Sequence, residues 1–263
     1  MKIIDFHTHI YPEAIAEKAT KSVLNFYEFD HGGVPGTAEY LLERGKSCGV
    51  SEFVVLPVAL KPSHVRHINQ TIIDAVSEHP EFHGFGTVHA AMENMEEELE
   101  FIQQMGLYGV KIHPDTQLFN IDDERLFPMY DYIQGKMPIM IHTGDYRYDY
   151  SHPRRVLHLL ELFPKLEVIG AHFGGWSVFD TACELLKNTN CWVDLSSSRQ
   201  FMSDEQFCKY INAYGADRVL FGTDFPLWDP KAEVEHFLQL NIPDQDKEKI
   251  AHLNAERILQ KKF

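Results

Sequence analysis

The sequence contains no apolar run approaching the roughly 20 residues that a bilayer-spanning helix needs. Its opening stretch, MKIIDFHTHI, has an apolar run too short and too interrupted to be expected as a secretory signal. Cysteine is sparse. Cys48, Cys183, Cys191 and Cys208 are scattered and form no Cys-x-x-Cys pair, so neither a zinc ribbon nor a disulfide framework is indicated. Free thiols in a reducing cytoplasm are the simplest expectation. Positive charge is in deficit, with 24 Lys and Arg against 39 Asp and Glu, a net charge of −15. A field of that sign repels phosphate backbones and anionic lipid surfaces, which argues against nucleic acid and membrane; it says little about a small-molecule substrate, the expected partner, because a pocket can differ in sign from the surface around it. There is also no low-complexity run and no interior linker, so residues 1–263 read as a single domain.

What is present is a steady alternation. Short runs rich in β-branched and aromatic residues begin near Ile3, Phe53, Phe85, Gly109, Pro138, Val168, Trp192 and Val219. Several are apolar on both parities, as suits parallel strands covered on both faces. Residues 67–79, 93–105, 123–134, 154–163, 178–187, 203–213 and 246–260 carry apolar residues at helical spacing. Eight strand–helix units in a chain of 263 residues predict an α/β fold, a (β/α)₈ TIM barrel. The rival, a doubly wound open sheet, would often carry a glycine-rich phosphate loop after its first strand, and none is there. Residues 10–40 form one long irregular insertion after the first strand, placed over the C-terminal mouth of a barrel. Phe26, Tyr27, His31, Gly32 and Gly33 fit a lid there, and equally a packed surface excursion.

The chemistry gathers at strand ends. Alternation puts Asp5, His7 and His9 on one face of the first strand, with Ile4 and Phe6 on the other. The two imidazoles then stand about 6.6 Å apart along the strand and can converge on one ion. Lys111 and His113 share a parity in the fourth run, His142 closes the fifth, His172 the sixth and Asp224 the eighth. A lone terminal His is usually a satisfied polar residue. Five of eight strands delivering His, Lys or Asp to one rim is hard to reconcile with core packing and points to a metal. The histidines on predicted helices and loops, such as His64, His158 and His252, read as solvated faces or caps.

IIDFHTHI at 3–10, GVKIHP at 109–114, IMIHTG at 139–144, VIGAHFGG at 168–175, RVLFGTDFP at 218–226 and HLNAERIL at 252–259 together resemble the amidohydrolase superfamily. The branch they most resemble is the amidohydrolase-related one that includes aminocarboxymuconate-semialdehyde decarboxylase-like enzymes. The resemblance implies that His7, His9, His142 and Asp224 bind one divalent ion, with zinc favoured. His172 would lie beside it, completing a second metal site or holding substrate and water. It also allows a two-ion site, for which the fourth strand offers Lys111 and His113, and a homodimer.

Such a site lets Asp224 serve as ligand and proton acceptor, while His172 orients the attacking oxygen or stabilises an oxyanion. Asp5 is a candidate acceptor for a ligand imidazole N–H, or else a buried turn-capping acid. Lys111, His113, Arg147, Trp176 and Arg199 are the candidate substrate contacts. Arginines among Tyr146, Tyr148 and Trp228 suggest a small, partly planar carboxylate, with Arg147 or Arg199 as a bidentate clamp. The leading expectation is hydrolysis of a small cyclic amide, lactone or ester by a metal-activated water. The alternative is nonoxidative decarboxylation of a small aromatic or unsaturated acid. A noncatalytic metal-binding scaffold would instead hold a closed, saturated ion.

Overall fold

A computed structural model describes all 263 residues, and it closes into a barrel. The strands are β1 (Ile3–Thr8), β2 (Val50–Val55), β3 (Phe82–Gly84), β4 (Gly86–Thr87), β5 (Val110–Ile112), β6 (Ile139–Ile141), β7 (Val168–Gly170), β8 (Trp192–Asp194) and β9 (Val219–Leu220). All pair in parallel, in the orders β1-β2-β3 and β4-β5-β6-β7-β8-β9. β3 and β4 are two halves of one stave interrupted at Phe85, whose N–H reaches Val55 O at 3.0 Å. The ring closes where Phe6 N–H meets Phe221 O at 2.9 Å, Asp224 N–H meets His7 O and His9 N–H meets Phe225 O, both at 2.8 Å. The eight predicted staves and the single barrel are therefore observed.

Two apolar layers hold it. Ile4, Phe6, Val54, Phe85, Met140, Ile169 and Leu220 fill the interior, and Ala255, Ile258 and Leu259 from the last helix plug its lower end. Alternate strand residues such as Ile3, Phe53, Val110, Ile139 and Val219 face outward under the helices. This corrects the simple alternation expected for the first strand, because Ile4 and Phe6 point inward. The pairing of β1 with β2 slips by one residue between Asp5 and Thr8, since three steps on β1 answer two on β2. That bulge breaks the period of two and lets His7 face the mouth above Phe6.

The expected helices appear with boundaries shifted by a few residues: α3 (Val65–Glu78), α4 (Met95–Gln104), α6 (Phe127–Ile133), α7 (Pro153–Leu162), α8 (Phe179–Leu186) and α9 (Asp204–Tyr214). The stretch expected at 246–260 is α11 (Asp244–Glu248) and α12 (Asn254–Ile258) joined by a π turn. Residues 10–40 are not irregular as expected. They contain α1 (Glu13–Tyr27), whose inward stripe is Ala16, Thr20 and Leu24. The outer helix of the first unit is α2 (Ala38–Cys48), capped by the Thr37 hydroxyl. A short α5 (Pro114–Gln117) and α10 (Pro230–Gln239) complete the set. No helix is long and apolar enough to cross a membrane.

Candidate metal centre

At the C-terminal mouth, β1 delivers His7 and His9, the segment after β6 delivers His142, the turn after β7 His172, and the turn after β9 Asp224. His7 Nε2 and His9 Nε2 lie 3.2 Å apart. Asp224 Oδ1 is 3.4 Å from each of them. His142 Nδ1 lies 3.1 Å from His172 Nε2. The His7 and His172 rings stack with centroids 5.2 Å apart, which places the two sets side by side; tight donor groups are His7, His9 and Asp224 in one and His113, Asp115 and His142 in the other. All five residues line one cavity. The turns that carry them are tight: His172 and Asp224 have φ of 58° and 60°. Gly144, at φ 73°, lets the loops after β6 and β7 touch, since a Cβ there would sit 2.6 Å from the Gly175 backbone.

The hydrogen bonds behind these rings decide what the ring nitrogens facing the cavity can be. His7 Nδ1 donates to Asp194 Oδ2 at 2.7 Å. His9 Nδ1 donates to Leu56 O at 2.6 Å. His172 Nδ1 points at Ser196 O at 3.0 Å. Each neutral imidazole has one N–H, so His7, His9 and His172 turn bare lone pairs toward the cavity. Two lone pairs 3.2 Å apart with a carboxylate oxygen beside them repel unless a cation sits among them. Donors at about 2.0–2.1 Å in a tetrahedron stand roughly 3.3 Å from one another, close to the spacings found here. The residues present therefore fit a divalent metal ion. Burial pulls His7 down to about 4, with Lys111 adding to the effect, and pulls His142 well below the usual imidazole range. Neutral, ligand-ready rings at neutral pH follow.

Asp194 is the residue that reasoning from the sequence missed. It is fully buried at the end of β8 and accepts from His7 Nδ1, from the His172 N–H at 3.0 Å and from the Ser196 hydroxyl at 2.6 Å. Burial alone would raise its pKa, but His7, His172 and Ser196 outweigh that and hold it below the usual carboxylate range. It does for His7 what one of the two readings of Asp5 expected; the other, a buried acid holding a turn, is what Asp5 is. Asp5 instead ties β1 to the β9 turn, accepting from Thr223 N at 3.0 Å and Thr223 Oγ1 at 2.6 Å. The signal was available: within WVDLS, the apolar run Trp192–Val193 is followed at once by an acid, Asp194, at the strand end. Asp194→Asn removes the charge that fixes His7 and makes it basic. We expect metal affinity to fall about 10–100-fold, read by titration with a competing chelator.

A second group surrounds the first. His113 stacks on His142 with centroids 3.9 Å apart, and Tyr27 Oη lies 2.7 Å from His113 Nε2. Asp115 Oδ2 is 3.6 Å from His142 Nε2 and takes the Ser151 hydroxyl at 2.6 Å. Lys111 is fully buried inside the barrel, with Nζ 3.5 Å from His7 Nε2. Burial pulls its pKa down to about 8, against the pull of Asp224 and Asp194. On the far side of Asp224, Oδ2 accepts from Ser197 Oγ at 2.5 Å, which in turn accepts from Trp228 Nε1 at 2.7 Å.

Of the expected substrate contacts, Lys111 and His113 line the cavity, and Trp176 packs against Tyr27 beside it with centroids 5.0 Å apart. The two arginines do not fill the clamp role expected of them. Arg147 is held by buried Asp145 through Nε at 2.9 Å and Nη2 at 2.7 Å, and gives Nη1 to Phe26 O at 2.7 Å. It fastens the end of α1 over the mouth. Arg199 is paired with Glu233 at 2.7 Å. Position after a strand brought both arginines near the rim, and acids on the same face took their charge.

The amidohydrolase family model matches residues 4–261, and the chain belongs to that family of metal-dependent enzymes. Solved structures share the fold over nearly full length. An uncharacterized TIM-barrel protein from Bordetella bronchiseptica superposes with a TM-score of 0.82 at 23% identity, covering 99% of each chain. A 5-carboxyvanillate decarboxylase from Sphingomonas paucimobilis gives 0.73 at 17%, again over 99% of each. A dihydroxybenzoic acid decarboxylase from Polaromonas, holding manganese and 2-nitroresorcinol, gives 0.74 at 14%, over 98% of this chain and 97% of that one.

Proposed function

We propose that this chain is a metal-dependent nonoxidative decarboxylase of a small aromatic or unsaturated carboxylic acid. The observation that carries the reading is the contrast inside the cavity of about 360 Å³. Its floor is the donor cluster with Lys111, and its walls include Val23, Phe26, Val58, Leu118 and Leu227. A flat acid matches that contrast, with its carboxylate at the floor and its apolar body against the walls. The decarboxylases among the similar structures support the same reading, so it takes precedence over hydrolysis of a cyclic amide or ester.

His7, His9, His142 and Asp224 would hold one ion, with His172 beside them. When bound, it supplies Lewis acidity toward the substrate's carboxylate and neighbouring oxygen. The imidazole-rich set favours zinc, and manganese is the second ion to load. Lys111 anchors the acid by charge, and the α1 side chains Phe26 and Tyr27 keep water from the reacting carbon. In the step itself the bond between carbon and carboxylate breaks, carbon dioxide leaves, and the electron pair left on carbon takes a proton. Against its burial, His7, His9 and His172 hold the Asp224 carboxyl well below the usual range, so it enters the step ionised. It would take up one proton from solvent and pass it to that carbon, its outer oxygen steadied by Ser197 and Trp228, so one proton is consumed for each carbon dioxide released.

The test loads the protein with zinc or manganese and offers it hydroxybenzoates and muconate-like acids, beside lactones and dihydropyrimidines. Carbon dioxide release from the acids supports the proposal. Acid release from the cyclic substrates alone returns the site to hydrolysis.

A further inference from the structure

The cavity's charges can be counted, and the count limits what it accepts. Lys111 is the one Lys or Arg among the residues lining it. The two arginines nearest the mouth are already neutralised. Arg147 faces Asp145, whose side chain is fully buried, and Arg199 faces Glu233, whose side chain is 5% exposed. Arg147 also gives Nη1 to the Phe26 carbonyl, so freeing it would unfasten α1. Above the floor, the walls that a flat ligand would meet are Val23, Phe26, Val58, Leu60, Leu118 and Leu227; of these Phe26 alone has a charge against it, the Arg147 guanidinium 5.0 Å from its ring centroid and already paired with Asp145.

One further donor is aimed inward. The Thr116 N–H points at His113 Nδ1 at 3.4 Å, which leaves the ring proton on Nε2. Nε2 then donates to Tyr27 Oη at 2.7 Å, and the phenol O–H, whose other partners are the His142 ring nitrogens at 3.5 Å, can turn to a ligand in the cavity. Lys111 and Tyr27 together suit one carboxylate or one carboxylate with an adjacent hydroxyl.

We infer that this site takes planar acids carrying a single carboxylate and turns away those carrying a second. A second carboxylate would have to leave water and lie against apolar side chains with no cation to meet it, at a cost the first carboxylate does not bear. The inference rests on the reading of this cavity as an acid-binding site. It separates two groups of acids that a metal-dependent decarboxylase could act on equally well.

The experiment uses calorimetric titration of the metal-loaded protein with salicylate and with 2-hydroxyisophthalate, which differ by one carboxylate. Salicylate is expected to bind at least tenfold more tightly. Leu118→Arg is the companion variant. It places a cation on the wall at a side chain that is 68% exposed, so the barrel should fold unchanged, and it is expected to narrow the ratio by raising the affinity of the dicarboxylate. Equal or tighter binding of 2-hydroxyisophthalate to the unmodified protein overturns the inference, and so does failure of both acids to bind. Carbon dioxide measured on the same samples judges the underlying reaction separately. Selective binding of salicylate without any release of carbon dioxide upholds the inference and removes the decarboxylase reading. Release from the dicarboxylate at equal affinity does the reverse.

Discussion

Asp224→Asn lowers the turnover number for carbon dioxide release by about 10²–10⁴-fold at saturating metal, the range for loss of a positioned proton donor. The geometry dictates the size of the effect. Asp224 is the carboxylate that stands within 3.4 Å of both His7 and His9 ring nitrogens. Its other oxygen is fixed by the Ser197 hydroxyl, which is itself fixed by the Trp228 indole. An amide in its place keeps the shape but cannot carry the proton. It also removes one negative charge from the donor set, so metal content must be measured on the same sample. A variant that retains its metal and turns over within tenfold of the unmodified enzyme would mean that another group protonates the carbon. Ser197→Ala is the gentler companion, because it leaves the carboxylate in place and removes only the bond that holds it.

Metal addition raises the melting temperature, and the His7→Ala/His9→Ala double variant abolishes the rise. An ion present at 100 times its dissociation constant stabilises the folded state by about 2.7 kcal/mol. For a chain of this size each kcal/mol moves the midpoint by roughly 2–4 °C, so a shift of about 5–11 °C is expected. The metal-free protein carries a built-in penalty, because three imidazoles aim bare lone pairs at one small volume beside a carboxylate. The double variant relieves part of that repulsion, so its metal-free form should melt no lower than the loss of buried His7 and half-buried His9 requires. Differential scanning calorimetry with and without zinc or manganese reads both effects. A native protein whose midpoint ignores both ions would contradict the metal assignment.

The barrel and its catalytic end could be read from the chain because parallel strands buried on both faces leave an unmistakable pattern. A histidine or acid at the end of an apolar run has no packing reason to be there. His7, His9, His142, His172 and Asp224 were all visible in that way. Their grouping around one point depends on features with no local signature. The one-residue slip between Asp5 and Thr8 is such a feature, and it turns His7 to the mouth above Phe6. Asp194 was overlooked because a single acid at a strand end looks like any buried cap until the imidazole it holds is in place. Arg147 and Arg199 had the right position and the wrong availability. Whether an arginine is free depends on acids such as Glu233, 34 residues away along the chain from Arg199. The helix hidden in residues 10–40 was obscured by its sequence, because its apolar stripe is broken by Thr20 and flanked by charge. The order of the two reactions was not legible at all, since hydrolysis and decarboxylation ask for the same donors. The proposal of decarboxylation rests on the character of the cavity walls, which come from α1 and from the loops after several strands.

The most direct measurement is an anomalous difference map from crystals of the zinc-loaded protein, collected at the zinc absorption edge. One strong peak within bonding distance of His7 Nε2, His9 Nε2, His142 Nδ1 and an Asp224 oxygen is the expected result. A map without a peak at the C-terminal mouth, or with its strongest peak among the surface histidines His158, His236 and His252, would contradict the account.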